Sequence, residues 1–246
     1  MSLRDQHVVV IGGTSGIGYA VAEDAVAAGA TVTITGRDRA RAAEAAARLG
    51  PAVRAEAVDA ADRAATEDLF ASAGDVHHLV LAAGGSAGGG AFRDLKLDDL
   101  RAGFEAKFWP HLTTLQAALG RLAAGGSVTF VTAVTARCAW AGASGYAGLN
   151  GALEAMVPPL AVELAPTRVN AVSPGAVDTP WWSFLPPDAR AGVLGDIAAG
   201  TPVGRVADAA DAARAVRFLM ESPHVTGIVV PCDGGASLVP PMPSRS

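Results

Sequence analysis

The stretch that most constrains the fold is Val8-Val9-Val10-Ile11-Gly12-Gly13-Thr14-Ser15-Gly16-Ile17-Gly18-Tyr19-Ala20. Its opening run of β-branched residues is short and uniformly apolar, the pattern of a strand buried on both faces of a parallel sheet. The glycines then turn the chain into an alanine-rich helical pattern from Tyr19 to Ala28. Gly12, Gly16 and Gly18 carry no Cβ, so a diphosphate can approach backbone N–H groups at the positive end of that helix. Thr14, Ser15 and Ile17 complete the candidate phosphate loop. Alone, a glycine-rich turn says little; between a strand and a helix it has the context that a dinucleotide-binding turn requires.

Beyond this turn, strand-like and helix-like segments alternate to the end, with no internal repeat and no Ser/Pro-rich linker. Strands are expected at 30–35, 53–58, 77–81, 127–133, 168–172 and 227–231. Helices are expected up to Leu49 and over 62–72, 97–123, 145–164 and 207–220, and 180–200 reads as an irregular, aromatic-rich insertion. Pro158 and Pro159 are expected to interrupt the helix that begins at Tyr146, since each removes a helix hydrogen bond. Repeated βα units call for an α/β fold, a doubly wound parallel sheet of seven strands with helices on both faces. A single domain over 1–239 is expected, with 240–246 a disordered, proline-rich tail.

Half of the residues are hydrophobic, enough for one large core at a length of 246. The formal charge of −5 has no basic cluster behind it, which argues against nucleic acid or an anionic membrane as partner. The charged start and the break at Gly12-Gly13 rule the first apolar run out as a signal peptide or membrane span. Cys138 and Cys232 match no metal spacing, the five histidines form no triad or metal pattern, and free thiols suit a reducing cytoplasm.

Further segments recur in order: Asp59, Leu81-Ala82-Ala83-Gly84, Tyr146, Arg168-Val169-Asn170-Ala171-Val172-Ser173-Pro174-Gly175, and Val225-Thr226-Gly227 through Asp233-Gly234-Gly235. With the spacing Gly-x3-Gly-x-Gly of the first turn, they make the chain resemble the short-chain dehydrogenase/reductase family over nearly its whole length. The resemblance implies a dinucleotide cofactor, a small-molecule substrate and a homodimer or homotetramer. That assembly would form through the helices at 97–123 and 145–164.

At the end of the second strand, where NAD-preferring relatives carry an acid, this chain has Gly36, followed by Arg37. A guanidinium can hold a 2′-phosphate with paired hydrogen bonds, so NADP(H) is favoured over NAD(H). Arg37 also reads as a solvated helix start, and adjacent Asp38 would partly neutralise it. The resemblance makes Asp59 an adenine contact, although an acid there also suits a helix cap. It makes Pro174, Gly175, Val177 and Thr179 the turn over the nicotinamide. Ala83 and Gly84 fall in the loop where the family shows Asn-Asn-Ala-Gly; the glycine is kept and both amides are lost.

At the chemical end the pattern breaks. The family's Tyr and Lys, four residues apart on one helix face, fall at Tyr146 and Asn150, its Ser at Ala133 and its Asn at Lys107. Lysine and asparagine have thus exchanged places, which admits either a rearranged active site or a decayed one. In the first, Tyr146 handles a proton, Lys107 supplies charge and Asn150 holds the ribose or an ordered water. An ammonium about 5 Å from the phenol would favour tyrosinate by roughly 3 kcal/mol at an effective dielectric near 20. The hydroxyl missing at Ala133 would have to come from Thr135 or Ser144. Thr132 is expected to face the other side of the strand. Trp140, Trp181, Trp182 and Phe184 suit an apolar or aromatic substrate. The expected activity interconverts a ketone and an alcohol. A silent dinucleotide-binding subunit or sensor, and a redox-neutral dehydratase or isomerase, are the alternatives.

Overall fold

The computed structural model describes residues 3–239, so the tail expected at 240–246 lies outside the described residues. In chain order the elements are β1 (His7–Ile11), α1 (Gly16–Ala27), β2 (Thr31–Gly36), α2 (Arg39–Leu49), β3 (Val53–Ala57), α3 (Arg63–Ala73) and β4 (Val76–Leu81). There follow α4 (Leu97–Ala118), β5 (Leu122–Val131), α5 (Ser144–Glu163), β6 (Arg168–Pro174), α6 (Pro187–Gly200), α7 (Ala209–Glu221) and β7 (Val229–Cys232). The strands form one sheet in the order β3-β2-β1-β4-β5-β6-β7, and every neighbouring pair is parallel.

Valine- and isoleucine-rich strands can be buried from both sides, and two cores result. On one face Val8, Val10, Ile34 and Val172 meet Val21 and Ala25 of α1, Ala45 of α2 and Val216 and Leu219 of α7. On the other, Val9, Leu79 and Phe130 meet Phe70 of α3, Leu115 of α4 and Leu153 of α5. Asp38, Asp62 and Asp208 cap α2, α3 and α7 by accepting first-turn N–H bonds, each worth about 1 kcal/mol. Helix α1 differs: Ser15 stands at its N-cap with extended backbone, yet its side chain caps nothing.

Three expected elements are corrected. Helix α4 stops at Ala118 rather than 123, because Leu122 is drawn into β5 opposite Val76, and the register shifts before His78 pairs with Ser127. Helix α5 runs unbroken through Pro158 and Pro159; both rings lie exposed while Val157 and Ala161 stay buried beneath. The insertion at 180–200 is ordered, a 3-10 turn at Pro180–Phe184 followed by α6. Helix α6 buries no residue, so it shows no apolar stripe to read, although Pro187 sits at its start as proline favours.

The N-terminal edge of the sheet holds a histidine cluster. His78 is buried between Ser127 Oγ (2.7 Å from Nδ1) and Gln6 Oε1 (2.6 Å from Nε2). His7 bridges Thr33 Oγ1 and the Asp75 carbonyl. Loss of solvation, helped by the charge of Arg168, pushes His78 down to about 3, and burial also lowers His7. The unfolded chain therefore takes up protons below about pH 6.5 that the folded chain refuses until far lower pH. Stability measured by urea unfolding is expected to be flat only between about pH 7 and 8, above which the lowered Lys107 makes it rise with pH. It should fall between about pH 6.5 and 3 by up to roughly 1.4 kcal/mol per pH unit through His78, with His7 adding in the same direction. His78→Gln should make that slope shallower, and an unchanged slope would show that His78 titrates normally.

Candidate active site

Chain reversal at the neighbours β1 and β4 opens a crevice beyond their C-terminal ends, the place where open parallel sheets bind ligands. A single cleft of about 790 Å³ runs there from the turn at Gly12–Gly18 to Tyr146 and the Trp181–Trp182 pair. Close backbone approach dictates the glycines. Gly12 has φ +81°, and a Cβ on it would lie 2.8 Å from Ala83 N; one on Gly18 would lie 2.2 Å from Gly12 O. Because Ser15 leaves the first turn of α1 uncapped, its N–H groups face the cleft's end without a side-chain partner. These residues fit a dinucleotide diphosphate, which binds such donors at a helix dipole's positive end.

The adenosine end has a specific shape. A Cβ on Gly36 would sit 2.5 Å from Thr14 Cγ2, so Thr14 fills the space that a ribose-binding acid would need. Arg37 and Arg41 both line this end, and neither makes an ion pair among the described residues. Asp38 Oδ1 instead accepts from Ala40 N and Arg41 N (2.8 and 3.1 Å), so its charge serves α2 rather than Arg37. Asp59 lines the cleft with Oδ1 on Ala61 N (3.0 Å), and capping of α3 falls to Asp62. Ala83, Gly84, Pro174, Gly175, Val177 and Thr179 all reach the cleft wall. Val177 O accepts from Trp182 Nε1 at 2.9 Å.

At the chemical end the exchanged pair is in direct contact. Lys107 Nζ on α4 donates to Asn150 Oδ1 on α5 (2.8 Å) and to Thr132 O at the end of β5 (3.1 Å). Asn150 Nδ2 donates to Tyr146 O (2.9 Å) and Thr135 Oγ1 (3.2 Å). Thr132 turns its hydroxyl away from the cleft and onto Glu154 Oε1 (2.7 Å), a carboxylate also paired with Arg137 at 3.1 Å. Burial pushes Lys107 down to about 8, while the Glu154 charge resists that shift. One turn along α4, His111 is buried with Nε2 on Ala83 O (2.9 Å), a contact that places its proton there. Desolvation and the nearby Lys107 charge push His111 down to about 3, so it is neutral.

Tyr146 is a correction to the expected electrostatics. Its hydroxyl donates to Ser86 O (2.5 Å) in the glycine-rich loop after β4, and its ring lies against Gly89. Desolvation raises its pKa, with only a backbone contact from Gly89 opposing, and Lys107 exerts no resolved pull on it. The ammonium is held by Thr132 O and Asn150 Oδ1. The same loop takes a hydrogen bond from Trp181 Nε1 at Gly85 O (3.0 Å), and Trp181 meets the Tyr146 ring edge-on at 6.2 Å. Trp140, Thr135, Trp181 and Trp182 line the cleft. Ser144 and Phe184 do not: Ser144 starts α5, and Phe184 packs edge-on against Trp181.

Sequence reasoning passed over four residues that the fold brings here. Arg41 follows Arg37 by one helical turn, and Glu154 extends the stripe Tyr146–Asn150–Glu154 at intervals of four on α5. His111 stands four residues after Lys107 on α4, so this too was readable as spacing. Ser86 lacked any signal, since it acts through its carbonyl.

With this geometry in place, comparison with known proteins identifies the class. A family model described as enoyl-(acyl carrier protein) reductase matches residues 12–237. Among curated relatives, the short-chain dehydrogenase/reductase fsr5 of Gibberella fujikuroi is 31% identical, with 96% of each chain covered. The human 3-oxoacyl-[acyl-carrier-protein] reductase is also 31% identical, over 96% of this chain and 99% of its own. A small-chain dehydrogenase solved in complex with NADPH superimposes with a TM-score of 0.85 at 31% identity, covering 96% of this chain and all (100%) of its own. The MalC reductase/Diels-Alderase of Malbranchea aurantiaca gives 0.88 at 27%, covering 96% and 98%. The chain belongs to the short-chain dehydrogenase/reductase family, and its fold is that of an oxidoreductase enzyme of this class.

The packing around the nucleotide turn predicts opposite outcomes for two alanine substitutions. Gly18→Ala forces a carbon against Gly12 O and is expected to cost about 1–3 kcal/mol or more, lowering Tm by several degrees. Gly148→Ala, on the exposed side of α5 with nothing within 4 Å, should instead gain up to about 1 kcal/mol. Thermal unfolding of both variants checks the pair.

Proposed function

We propose that this enzyme is an NADP-dependent oxidoreductase that interconverts a ketone and an alcohol on an apolar or aromatic small molecule. One observation carries the reading. A single cleft joins an uncapped helix terminus and two arginines, without an ion pair among the described residues, to Lys107, Tyr146 and a wall of tryptophans. Bound NADPH would supply a hydride to the substrate carbonyl. The chain's own part is to bind the diphosphate at Gly12–Gly18 and the 2′-phosphate at Arg37 and Arg41. Trp140, Trp181 and Trp182 would exclude water and give contact area to an apolar substrate. Similarity to a dehydrogenase solved with NADPH and to a 3-oxoacyl reductase supports the cofactor and the carbonyl.

A second, redox-neutral reading draws on the likeness to a protein named for both reduction and a Diels–Alder reaction. A silent nucleotide-binding subunit would bind NADPH and turn over nothing. We further place the protein in a reducing cytoplasm, in keeping with free Cys138 and Cys232; no helix among the described residues is long and apolar enough to cross a membrane. A homodimer or homotetramer would cover Leu97 and Trp109 of α4 and Val162 of α5, which are 60%, 49% and 79% exposed.

Fluorescence titration should show tighter binding of NADPH than of NADH. Arg37→Ala should weaken NADPH roughly 10- to 100-fold, the worth of a charge-assisted hydrogen bond, and NADH far less. Equal affinities in the unaltered protein would remove the NADP assignment. NADPH consumption against aromatic and aliphatic ketones then separates the oxidoreductase from the two other readings. Light scattering at micromolar concentration tests the oligomer, which a monomeric mass would exclude.

A further inference from the structure

Lys96 and Lys107 are the two lysines of the chain, and the second stands in the wall of the cleft, held from two sides. Its partners, Asn150 Oδ1 and Thr132 O, are both pure acceptors, so two of its N–H bonds are fixed and a third position is left for the cleft. Tyr146 offers no such freedom, because its hydroxyl proton is committed to Ser86 O. Of the hydroxyls beside the one lost at Ala133, Thr132 donates to Glu154, whereas Thr135 accepts from Asn150 and keeps its own O–H to hold a carbonyl, although a neutral alcohol is too weak an acid to give that proton up. We propose that Lys107, rather than Tyr146, is the proton donor and acceptor of this active site, with Glu154 as the positioning residue that keeps it charged.

The proposal rests on the carbonyl reduction described above. As hydride reaches the carbonyl carbon, the C=O π pair moves to oxygen, and the free Nζ–H bond of Lys107 breaks to protonate it. Lys107 is left as a neutral amine whose two remaining N–H bonds still point to Asn150 and Thr132. A proton from water entering the cleft restores the ammonium, and alcohol oxidation runs the same path backwards. A general acid works best with a pKa near the operating pH, and burial brings Lys107 to about 8. The groups that face it are His111 on its own helix, Tyr146 and Glu154 on α5, and Arg137 beyond Glu154. His111 and Tyr146 are neutral around pH 7, so Glu154, through the Thr132 hydroxyl, is the charge that tunes the ammonium.

Having two lysines makes a direct test practical. In the full chain labelled with 13C-lysine only two side-chain signals arise, and replacing exposed Lys96 by Arg assigns them. Lys107 is expected to titrate near 8, lower still in Glu154→Gln, whether or not NADPH is bound. With a ketone that the unaltered protein reduces, Lys107→Arg keeps the positive charge and the donors but cannot release a proton. It should lose at least about 100-fold in kcat while still binding NADPH, and Tyr146→Phe should lose less than about tenfold. The limb of the kcat profile near pH 8 should move down in Glu154→Gln. Activity retained in Lys107→Arg, a loss in Tyr146→Phe as large as in Lys107→Arg, or a Lys107 signal that titrates at the ordinary lysine value of about 10.5 would each overturn the assignment. If the unaltered protein binds NADPH but reduces no ketone, the carbonyl reading fails and the proton step falls with it. Turnover with an unshifted Lys107 ends the proton step alone.

Discussion

The architecture of the site depends on one close approach, that of Gly12 to Ala83 at the sheet's switch point. Strands β1 and β4 lie side by side with Ile11 opposite Leu81, and the chain leaves them in divergent directions. The crevice exists because the turn after β1 lies almost in contact with the loop after β4, with no room for a Cβ on Gly12. That contact also sets how the β4 loop is anchored. Leu81-Ala82-Ala83-Gly84 has no side-chain amide of its own, and a hydrogen bond from His111 Nε2 to Ala83 O anchors it from outside. This buried neutral histidine on α4 fastens the helix to the sheet one turn beyond Lys107.

The fastening bears on how a lysine survives in such a place. Moving Lys107 from about 10.5 to about 8 corresponds to roughly 3 kcal/mol set against its charged form. An ammonium without acceptors would cost more, and would simply deprotonate. Two oxygens, on α5 and at the end of β5, together with the Glu154 carboxylate behind Thr132, hold the balance near neutrality. Glu154 is itself 11% exposed at the side chain and paired with Arg137, so the network ends on a partly solvated guanidinium rather than a buried charge. A chain of alternating donor and acceptor groups runs from cleft to surface, which is how partly buried ions are usually kept.

How much of this was legible in the sequence follows from what kind of signal each feature leaves. The sheet and most of its helices were readable, because β-branched runs and alanine-rich stripes report burial directly. The nucleotide turn was readable because close backbone approach excludes every residue but glycine at Gly12 and Gly18. Helix α6 was invisible for the opposite reason: with no buried face, nothing in Pro187–Gly200 repeats at a helical period. The continuity of α5 through Pro158 and Pro159 was hidden because the cost of two missing N–H donors is local, while the burial of Leu153, Val157 and Ala161 is cooperative. At the site itself, the i, i+4 spacing paired Tyr146 with Asn150, and only the family resemblance brought Lys107 to them. Direction did not follow. The Tyr146 hydroxyl is set by a carbonyl of the Ser86 loop, and a main-chain acceptor leaves no trace in residue identity.

That difference in direction makes the exchange of lysine and asparagine asymmetric. A lysine on α5, one turn after the tyrosine, would share a helix face with the phenol and feel it as its nearest titratable neighbour. Placed on α4, the same ammonium meets α5 at Asn150 and β5 at Thr132, and its nearest opposite charge is Glu154. Asn150, lacking charge, joins the two helices by donating to Tyr146 O and Thr135 and accepting from Lys107. The exchange therefore conserves the amide and the ammonium as chemical groups but hands the ammonium a different partner. Burial leaves the tyrosine above its ordinary value. Lysine gains a site dry enough to bring its own pKa within reach of neutral pH.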